Sequence, residues 1–122
     1  MIEFIGGESV VEIIREIFDV VEKMEGINPV VLDMRETPMP TDYFLIVTAN
    51  SDVHMKSLRD RVVQFIKKET DLEIIYYDKG EGYDWMIIDA GDIVVHIFTE
   101  RGREFYDLEG LWIDAKRLTF TA

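Results

Sequence analysis

Residues 85–98 read Trp-Met-Ile-Ile-Asp-Ala-Gly-Asp-Ile-Val-Val-His-Ile-Phe. Two apolar runs, Trp85 to Ile88 and Ile93 to Phe98, flank the tetrapeptide at 89–92. Gly91 in this tetrapeptide can adopt the positive φ that closes a tight hairpin. Both runs are nearly continuous in apolar residues, which favours strands covered on both faces. The stretch therefore predicts a central antiparallel strand pair in a sheet that helices cover.

The composition is typical of one soluble globular domain over residues 1–122, with 48% hydrophobic and 31% charged residues. The absence of cysteine excludes disulfides and thiolate sites and agrees with a reducing cytosol. No apolar run approaches the roughly 20 residues of a membrane span. Acidic residues at Glu3 and Glu8 are not typical of a signal peptide. We therefore predict a cytoplasmic protein that does not bind membranes.

The charge of the chain favours one class of partner. Thirteen basic and 25 acidic side chains give a net charge of −12, and such a field repels phosphate backbones and anionic lipid. The basic residues concentrate in 52–70, but this segment lacks interleaved aromatics, so we predict no direct sequence-specific nucleic acid binding. A basic protein is the better partner. The alternative is that the acidity only keeps the protein soluble.

A capping box predicts the first helix. Ser9 and Glu12 have the spacing in which the hydroxyl and the carboxylate each satisfy a free amide. Apolar residues then recur at spacings of three and four as far as Met24, Gly26 is a plausible C′ residue, and Pro29 prevents continuation. We interpret this acidic helix as a cover for the sheet. A docking helix for a partner is the alternative.

The middle of the chain predicts a βαβ unit. A strand over 43–49 ends at the good capping residues of 50–52, which begin a second helix running to about Thr70. The predicted buried stripe of this helix is Val53, Leu58, Val62, Phe65 and Ile66. A strand over 72–77 follows, so the two strands should be parallel with a right-handed crossover.

The other segments complete the predicted sheet. Residues 30–35 are rich in β-branched side chains and predict a strand, and the two prolines in 37–41 predict a loop. Apolar side chains in 104–111 again recur at helical spacing, which predicts a short C-terminal helix. The fold class is therefore α/β, with a mixed sheet of about five strands covered by helices.

Two polar features inside the central hairpin are candidates for chemistry. Asp89 and Asp92 face each other across the turn and could chelate a hard cation. Aspartate is common in turns because it bonds nearby amides, so we predict no metal site. His96 lies in an apolar strand with no second His or Cys at useful spacing. We interpret it as a core or rim histidine bonded to a neighbour, rather than a ligand or a general base.

An enzyme hypothesis rests on the junction Ala49-Asn50-Ser51-Asp52. It looks superficially like the Gly-Ser junction of nucleotidyltransferases, where a helix N-terminus binds phosphate. The acidic pair that would hold Mg²⁺ on the following strand is missing, and the chain has no P-loop, GxSxG, HExxH or CxxC motif. We therefore predict no catalytic residue and no cofactor. A minimal nucleotidyltransferase-like enzyme that uses Asn50-Ser51 is the alternative.

The aromatic residues are more numerous than one small core easily hides. They are Tyr76, Tyr77, Tyr83, Trp85, Tyr106 and Trp112. Acidic residues stand among them, and aromatic anchors with a charged rim are typical of protein interfaces. Any single one of them could instead pack in the core. A homodimer whose exposed aromatics pair with each other is a further alternative.

Several segments together resemble a known family. They form four motifs, which are Asp42-Tyr43-Phe44, Thr48 to Asp52, Trp85 with Asp89 to Phe98, and Arg103 to Glu109 before Leu111-Trp112. Their order and spacing resemble the ribosomal silencing factor family, RsfS, also called Iojap, over about residues 8–118. One such motif alone is weak, whereas four in the right order are specific. The implied fold is α/β and nucleotidyltransferase-like without the catalytic carboxylates.

The resemblance also implies a function that is not catalysis. Members of the family bind the large ribosomal subunit through its basic ribosomal protein number fourteen and sterically block the small subunit, which represses translation when nutrients are short. Organellar relatives also act in large-subunit assembly. By resemblance, Trp85 and Met86 would be apolar anchors, and Asp89 with neighbouring acids would pair with basic residues of the partner. Tyr77 and Glu81 complete the predicted site. Where the family often has Asp-Arg at a helix start, this chain has Asp52-Val53, so any role of that arginine does not transfer.

Overall fold

The computed structural model describes residues 9–120, so the prediction about a signal peptide concerns residues outside this range. The strands are β1 (Ile27–Asp33), β2 (Tyr43–Thr48), β3 (Tyr76–Tyr77), β4 (Trp85–Asp89), β5 (Ile93–Phe98) and β6 (Lys116–Leu118). The helices are α1 (Val10–Lys23), α2 (Asp52–Glu69), α3 (Glu100–Tyr106) and α4 (Leu108–Leu111). The strands form one mixed sheet of six in the order β3-β4-β5-β2-β1-β6, one strand more than predicted.

The hairpin of β4 and β5 is confirmed as a central element. The two strands pair antiparallel from Trp85 opposite Phe98 to Asp89 opposite Val94. Gly91 in the turn has a φ of 80°, and its N–H donates to Asp89 Oδ1 at 2.9 Å. On its other side β5 pairs with β2 in parallel. The hairpin therefore contributes β5 to the middle of the sheet.

The predicted βαβ unit is wrong in the length and position of its second strand. Only Tyr76 and Tyr77 of the predicted strand 72–77 form β3, which pairs antiparallel with β4 at the edge of the sheet. It runs in the same direction as β2, but β4 and β5 lie between them. The reason is that β5 is almost fully buried, whereas Ile75 beside β3 is 68% exposed. The more apolar strand occupies the central position beside β2.

Helices cover both faces of the sheet, as predicted. Helices α1 and α2 pack on one face, where the core includes Ile14, Ile17, Leu45, Val47, Leu58, Val62, Ile66, Met86, Ile88, Val95 and Ile97. The smaller core on the opposite face consists of Leu32, Met34, Phe44, Ile46, Phe98 and Leu108. Adjacent residues of β2, such as Leu45 and Ile46, belong to different cores because side chains alternate along a strand.

The two ends of α1 show which capping predictions hold. The capping box of Ser9 and Glu12 is confirmed, since each side chain accepts the backbone N–H of the other. Gly26 is not the C′ residue. Glu25 has the left-handed φ of 63°, and the N–H of Gly26 donates to Val21 O at 2.8 Å, as at C″ of a Schellman motif. A Cβ on Gly26 would lie 2.7 Å from a methyl carbon of Val47, so close packing requires the glycine.

Helix α2 begins after Ser51, whose Oγ accepts the N–H of His54 at 3.0 Å. Its buried stripe differs from the prediction at the first turn, where Val53 is 70% exposed. Met55 and Arg59 are buried instead. The guanidinium of Arg59 donates to the carbonyl oxygens of Asp78 and Gly80, which ties the loop before β4 to the helix.

The predicted C-terminal helix is two short helices. Asp107 between them adopts a left-handed conformation with a φ of 45°, and its Oδ1 accepts the N–H of Gly110 at 3.1 Å. The chain then reaches β6, which pairs antiparallel with β1 and was not predicted. Its sequence Lys-Arg-Leu carries only one apolar residue, which explains why no strand pattern appears there.

Candidate partner-binding surface

Strand β4 divides the predicted site residues between the two faces of the sheet. Trp85 packs against the smaller core, next to Phe98, and Asp89 shares its face because residues two apart along a strand point the same way. Met86 points to the opposite face, where it has no exposed surface beneath α1 and α2. Met86 is therefore a core residue, and the expectation that it is an apolar anchor on the surface is wrong.

Tyr77 and Glu81 lie on the side of α2. Tyr77 packs against the α1 and α2 core, and the ammonium groups of Lys79 and Lys67 lie 4.3 and 5.7 Å from the centre of its ring. Glu81 is exposed and forms a salt bridge of 2.8 Å with Lys56 of α2, which lowers the pKa of its carboxyl group. The structure thus brings together Trp85 and Asp89 and separates them from the other predicted residues.

The indole ring of Trp85 is half-buried and held on three sides. It stacks on Phe98 with ring centres 5.2 Å apart and contacts Tyr106 of α3 at 4.8 Å. Its Nε1–H donates to Nδ1 of His96 at 3.0 Å. These contacts fix the orientation of the ring at the surface.

His96 is a core histidine bonded to a neighbour, as the sequence predicted. It is 4% exposed, and its ring packs edge-on against Phe44 at 4.4 Å. Burial lowers the pKa of the imidazole to about 3, so the ring is neutral at physiological pH. Because Nδ1 accepts the Trp85 proton, the single proton of the neutral ring lies on Nε2.

A strip of exposed and partly exposed side chains extends from Trp85 in both directions. We call it the Trp85 surface, and it consists of Tyr76, Trp85, Ile87, Asp89, Phe105 and Tyr106. Tyr76 is the cross-strand partner of Asp89 and is 54% exposed. At the other end, Phe105 packs edge-on against Tyr106 at 5.0 Å and is 77% exposed. Aromatic rings surrounded by charged groups are typical of protein interfaces, in which the charged groups form the rim.

Carboxylates border this strip. Asp89 accepts the backbone N–H of Gly91 and forms no salt bridge in the described part of the chain. Asp78 accepts the hydroxyl proton of Tyr76 at 2.6 Å, which raises the pKa of that tyrosine. Asp84, just before β4, accepts from Thr99 and Arg101, and these hydrogen bonds lower its pKa. Asp89 is thus the carboxylate of this strip without a salt bridge within residues 9–120.

A second concave site lies at the carboxyl ends of the parallel strands β2 and β5. Its cleft of about 1030 Å³ includes the Asn50-Ser51 junction of the enzyme hypothesis. One donor that could bind phosphate there already has a partner, since the Asn50 N–H donates to His54 Nδ1. The charged lining is mostly acidic and consists of Asp52, Asp84, Glu100, Arg101, Arg103, Glu104, Asp107 and Glu109. The acidic lining of this cleft would repel the phosphates of a nucleotide.

Residues 9–120 contain neither a metal-binding cluster nor a membrane-spanning helix. No cluster of three or more His, Asp or Glu side chains there could hold a metal ion. None of the described helices is long and apolar enough to cross a membrane. The exposed strip around Trp85 is therefore the candidate surface that the structure supports best.

The sequence profile described as "Ribosomal silencing factor during starvation" matches residues 8–122. The chain belongs to this ribosomal silencing factor family, RsfS. It is 40% identical to RsfS of Bacillus subtilis over 87 residues, which is 69% of this chain and 70% of that protein. It is 31% identical over 74 residues, or 59% of this chain, to a mouse protein named "Mitochondrial assembly of ribosomal large subunit protein 1", of which the match covers 32%.

A solved structure supports the same RsfS fold. The crystal structure of a protein from Chromobacterium violaceum superposes with a TM-score of 0.81 at 25% identity and covers 94% of both chains. The family membership predicted from the sequence motifs is thereby confirmed, and so is the α/β fold class. Membership in RsfS supports a ribosome-associated silencing role.

Proposed function

We propose that this RsfS family protein binds the large ribosomal subunit through the Trp85 surface and sterically prevents the small subunit from joining. The observation that carries the proposal is the strip of exposed aromatic rings beside the unpaired carboxylate of Asp89. Translation is repressed in this way under nutrient limitation, and no catalytic step is involved. The family description and the name of the mouse relative support the ribosome, and in the latter case the large subunit, as the target.

The proposed partner on the subunit is a basic protein, and the family resemblance favours ribosomal protein number fourteen. A chain with a net charge of −12 is attracted to basic protein and repelled by the phosphates of the surrounding RNA. Steering of this kind selects a basic protein patch within a largely anionic particle. Trp85, Phe105 and Tyr106 then supply apolar contact area, and Asp89 pairs with a lysine or arginine.

Sedimentation tests the proposal directly. Purified protein is mixed with large subunits, small subunits are added, and the fractions of a sucrose gradient are assayed for the protein and for joined ribosomes. We expect the protein to migrate with the large subunit and to reduce the joined peak. Protein that stays at the top of the gradient, with joining unaffected, would contradict the proposal.

Matched exposed residues locate the binding face. Phe105→Ala should weaken binding at least about fivefold, since loss of an interface aromatic costs about 1 kcal/mol or more. Val53→Ala on α2 removes a side chain of similar exposure, 70% against 77%, from outside the surface and should leave binding unchanged. Equal effects of the two substitutions would place the interface elsewhere.

A second pair of variants tests the charge. Asp89→Asn keeps the acceptor for the Gly91 N–H but removes the charge, so it should weaken binding and reduce its salt dependence. Glu81→Gln removes an exposed carboxylate on the α2 side, where it pairs with Lys56, and should change neither property. If Glu81→Gln has the larger effect, the interface includes the α2 side, as the sequence alone predicted.

Association with a second copy would use the same exposed rings. Sedimentation of the free protein at several concentrations distinguishes this case, because a dimer that buries Phe105 and Tyr106 would compete with subunit binding. Under our proposal, Phe105→Ala weakens subunit binding at concentrations where the free protein is a monomer.

A further inference from the structure

The imidazole of His96 lies directly behind the Trp85 surface. It stands opposite Ile87 of β4 and Ile46 of β2, in the middle of the face that carries Trp85. From there its Nδ1 accepts the indole proton of Trp85 at 3.0 Å. His96 itself is 4% exposed and cannot contact a partner in this conformation.

Packing alone does not account for a histidine at this position. Its Nε2 is buried and has no hydrogen-bond partner within residues 9–120, so the imidazole leaves a polar group unsatisfied among apolar side chains. Burial of such a group is unfavourable, and a leucine or methionine would avoid it. The one favourable polar contact of the ring is the hydrogen bond to Trp85.

We propose that His96 is a positioning residue, which acts through Trp85 by holding its indole ring in the orientation that the partner recognises. The inference rests on the proposed function, because it assumes that the Trp85 surface is the binding surface. A side chain that is already immobilised in the free protein loses less conformational entropy on binding. The indole N–H is occupied by His96, so Trp85 contributes its apolar ring and not a hydrogen bond to the partner.

Two nearly isosteric substitutions separate the hydrogen bond from the packing. His96→Asn can present its side-chain oxygen where Nδ1 lies and still accept the indole proton, whereas His96→Leu cannot. The two variants leave similar space beside Phe44, so packing losses should be alike. Their difference therefore reports the acceptor.

The indole proton of Trp85 gives the readout on the free protein. Its NMR resonance is assigned with Trp85→Phe, which leaves only the signal of Trp112. We expect slow hydrogen exchange of this proton in the wild type and in His96→Asn, and faster exchange in His96→Leu. Equally slow exchange in His96→Leu would overturn the positioning role, because the ring would be held without His96.

Binding to purified large subunits gives the second readout. We expect His96→Leu to lose affinity about three- to tenfold, which corresponds to about 0.7 to 1.4 kcal/mol, and His96→Asn to recover most of it. Equal affinities of wild type and His96→Leu would overturn only the role of His96, provided that the wild type binds. Equal losses in both variants would show a purely structural role. A wild type that does not bind would overturn the proposed function and this inference with it.

Discussion

Lowering the pH should destabilise the folded protein through the side chain of His96. Burial lowers the pKa of its imidazole to about 3, whereas the unperturbed value is 6.5. Between these values the unfolded state binds the additional proton, so the free energy of unfolding falls as the pH falls. The penalty is absent well above about pH 6.5, grows below that pH, and levels off below about pH 3.

The magnitude follows from the two pKa values. At about pH 5 the imidazole is almost fully protonated in the unfolded state and still neutral in the folded state, which costs about 2 kcal/mol relative to about pH 8. The folded state stays neutral at this pH, and protonation of Nδ1 would also break the hydrogen bond from the Trp85 indole. A loss of this size is a large part of the roughly 5 to 15 kcal/mol of an ordinary domain.

Urea unfolding followed by circular dichroism at several pH values measures this effect. His96→Leu is the comparison because it removes this titration while His54 and the carboxylates remain. The wild type should lose about 2 kcal/mol more than the variant between about pH 8 and pH 5. Equal losses would refute the reasoning and would mean that the imidazole reaches water and takes up a proton in the folded state. The NMR shifts of the His96 ring protons should stay constant over the same range.

Three further predictions concern stability. Gly91→Ala should cost about 1 to 2 kcal/mol in urea unfolding because its φ of 80° is strained for any residue with a Cβ; a loss below a few tenths would contradict this. Ser9→Ala should cost about 1 kcal/mol by removing the cap of α1, whereas Ser57→Ala on exposed α2 surface should cost far less, as thermal melts will show. Trp85→Ala should cost about 2 to 3 kcal/mol in urea unfolding by removing the stack on Phe98, and an unchanged midpoint would mean that the ring packs loosely.

The parts of the fold that were predicted correctly depend on local patterns. The capping box at Ser9, the turn at Gly91 and the central hairpin each follow from a few neighbouring residues. The position of β3 depends instead on which strand pairs with β2. The sequence of 72–77 alone gives no information about the other strands that could pair there. The same holds for β6, whose pairing with β1 joins segments far apart in the chain.

Part of the surface could also have been found from the sequence. The period of two along β4 separates Met86 from Trp85 and Asp89, so a strict reading of the alternation would have removed Met86 from the site. The exposure of Phe105 could not be predicted from a comparable sequence pattern. Its helical spacing with Leu108 predicted one short helix, but the left-handed Asp107 breaks the helix between them. Leu108 is buried as a result, and Phe105 faces solvent.

The exposure of the Trp85 surface follows from the unequal sizes of the helices on the two faces of the sheet. Six strands at about 4.8 Å spacing extend over about 24 Å. One face lies beneath α1 and α2, with 14 and 18 residues. The other face has α3 and α4, whose 7 and 4 residues extend only about 10 and 6 Å at about 1.5 Å per residue. Leu108 of α4 packs in the same core as Phe98 and Phe44, and Tyr106 at the end of α3 contacts Trp85. The strip over β3 and β4 is therefore left incompletely covered by the helices of this chain.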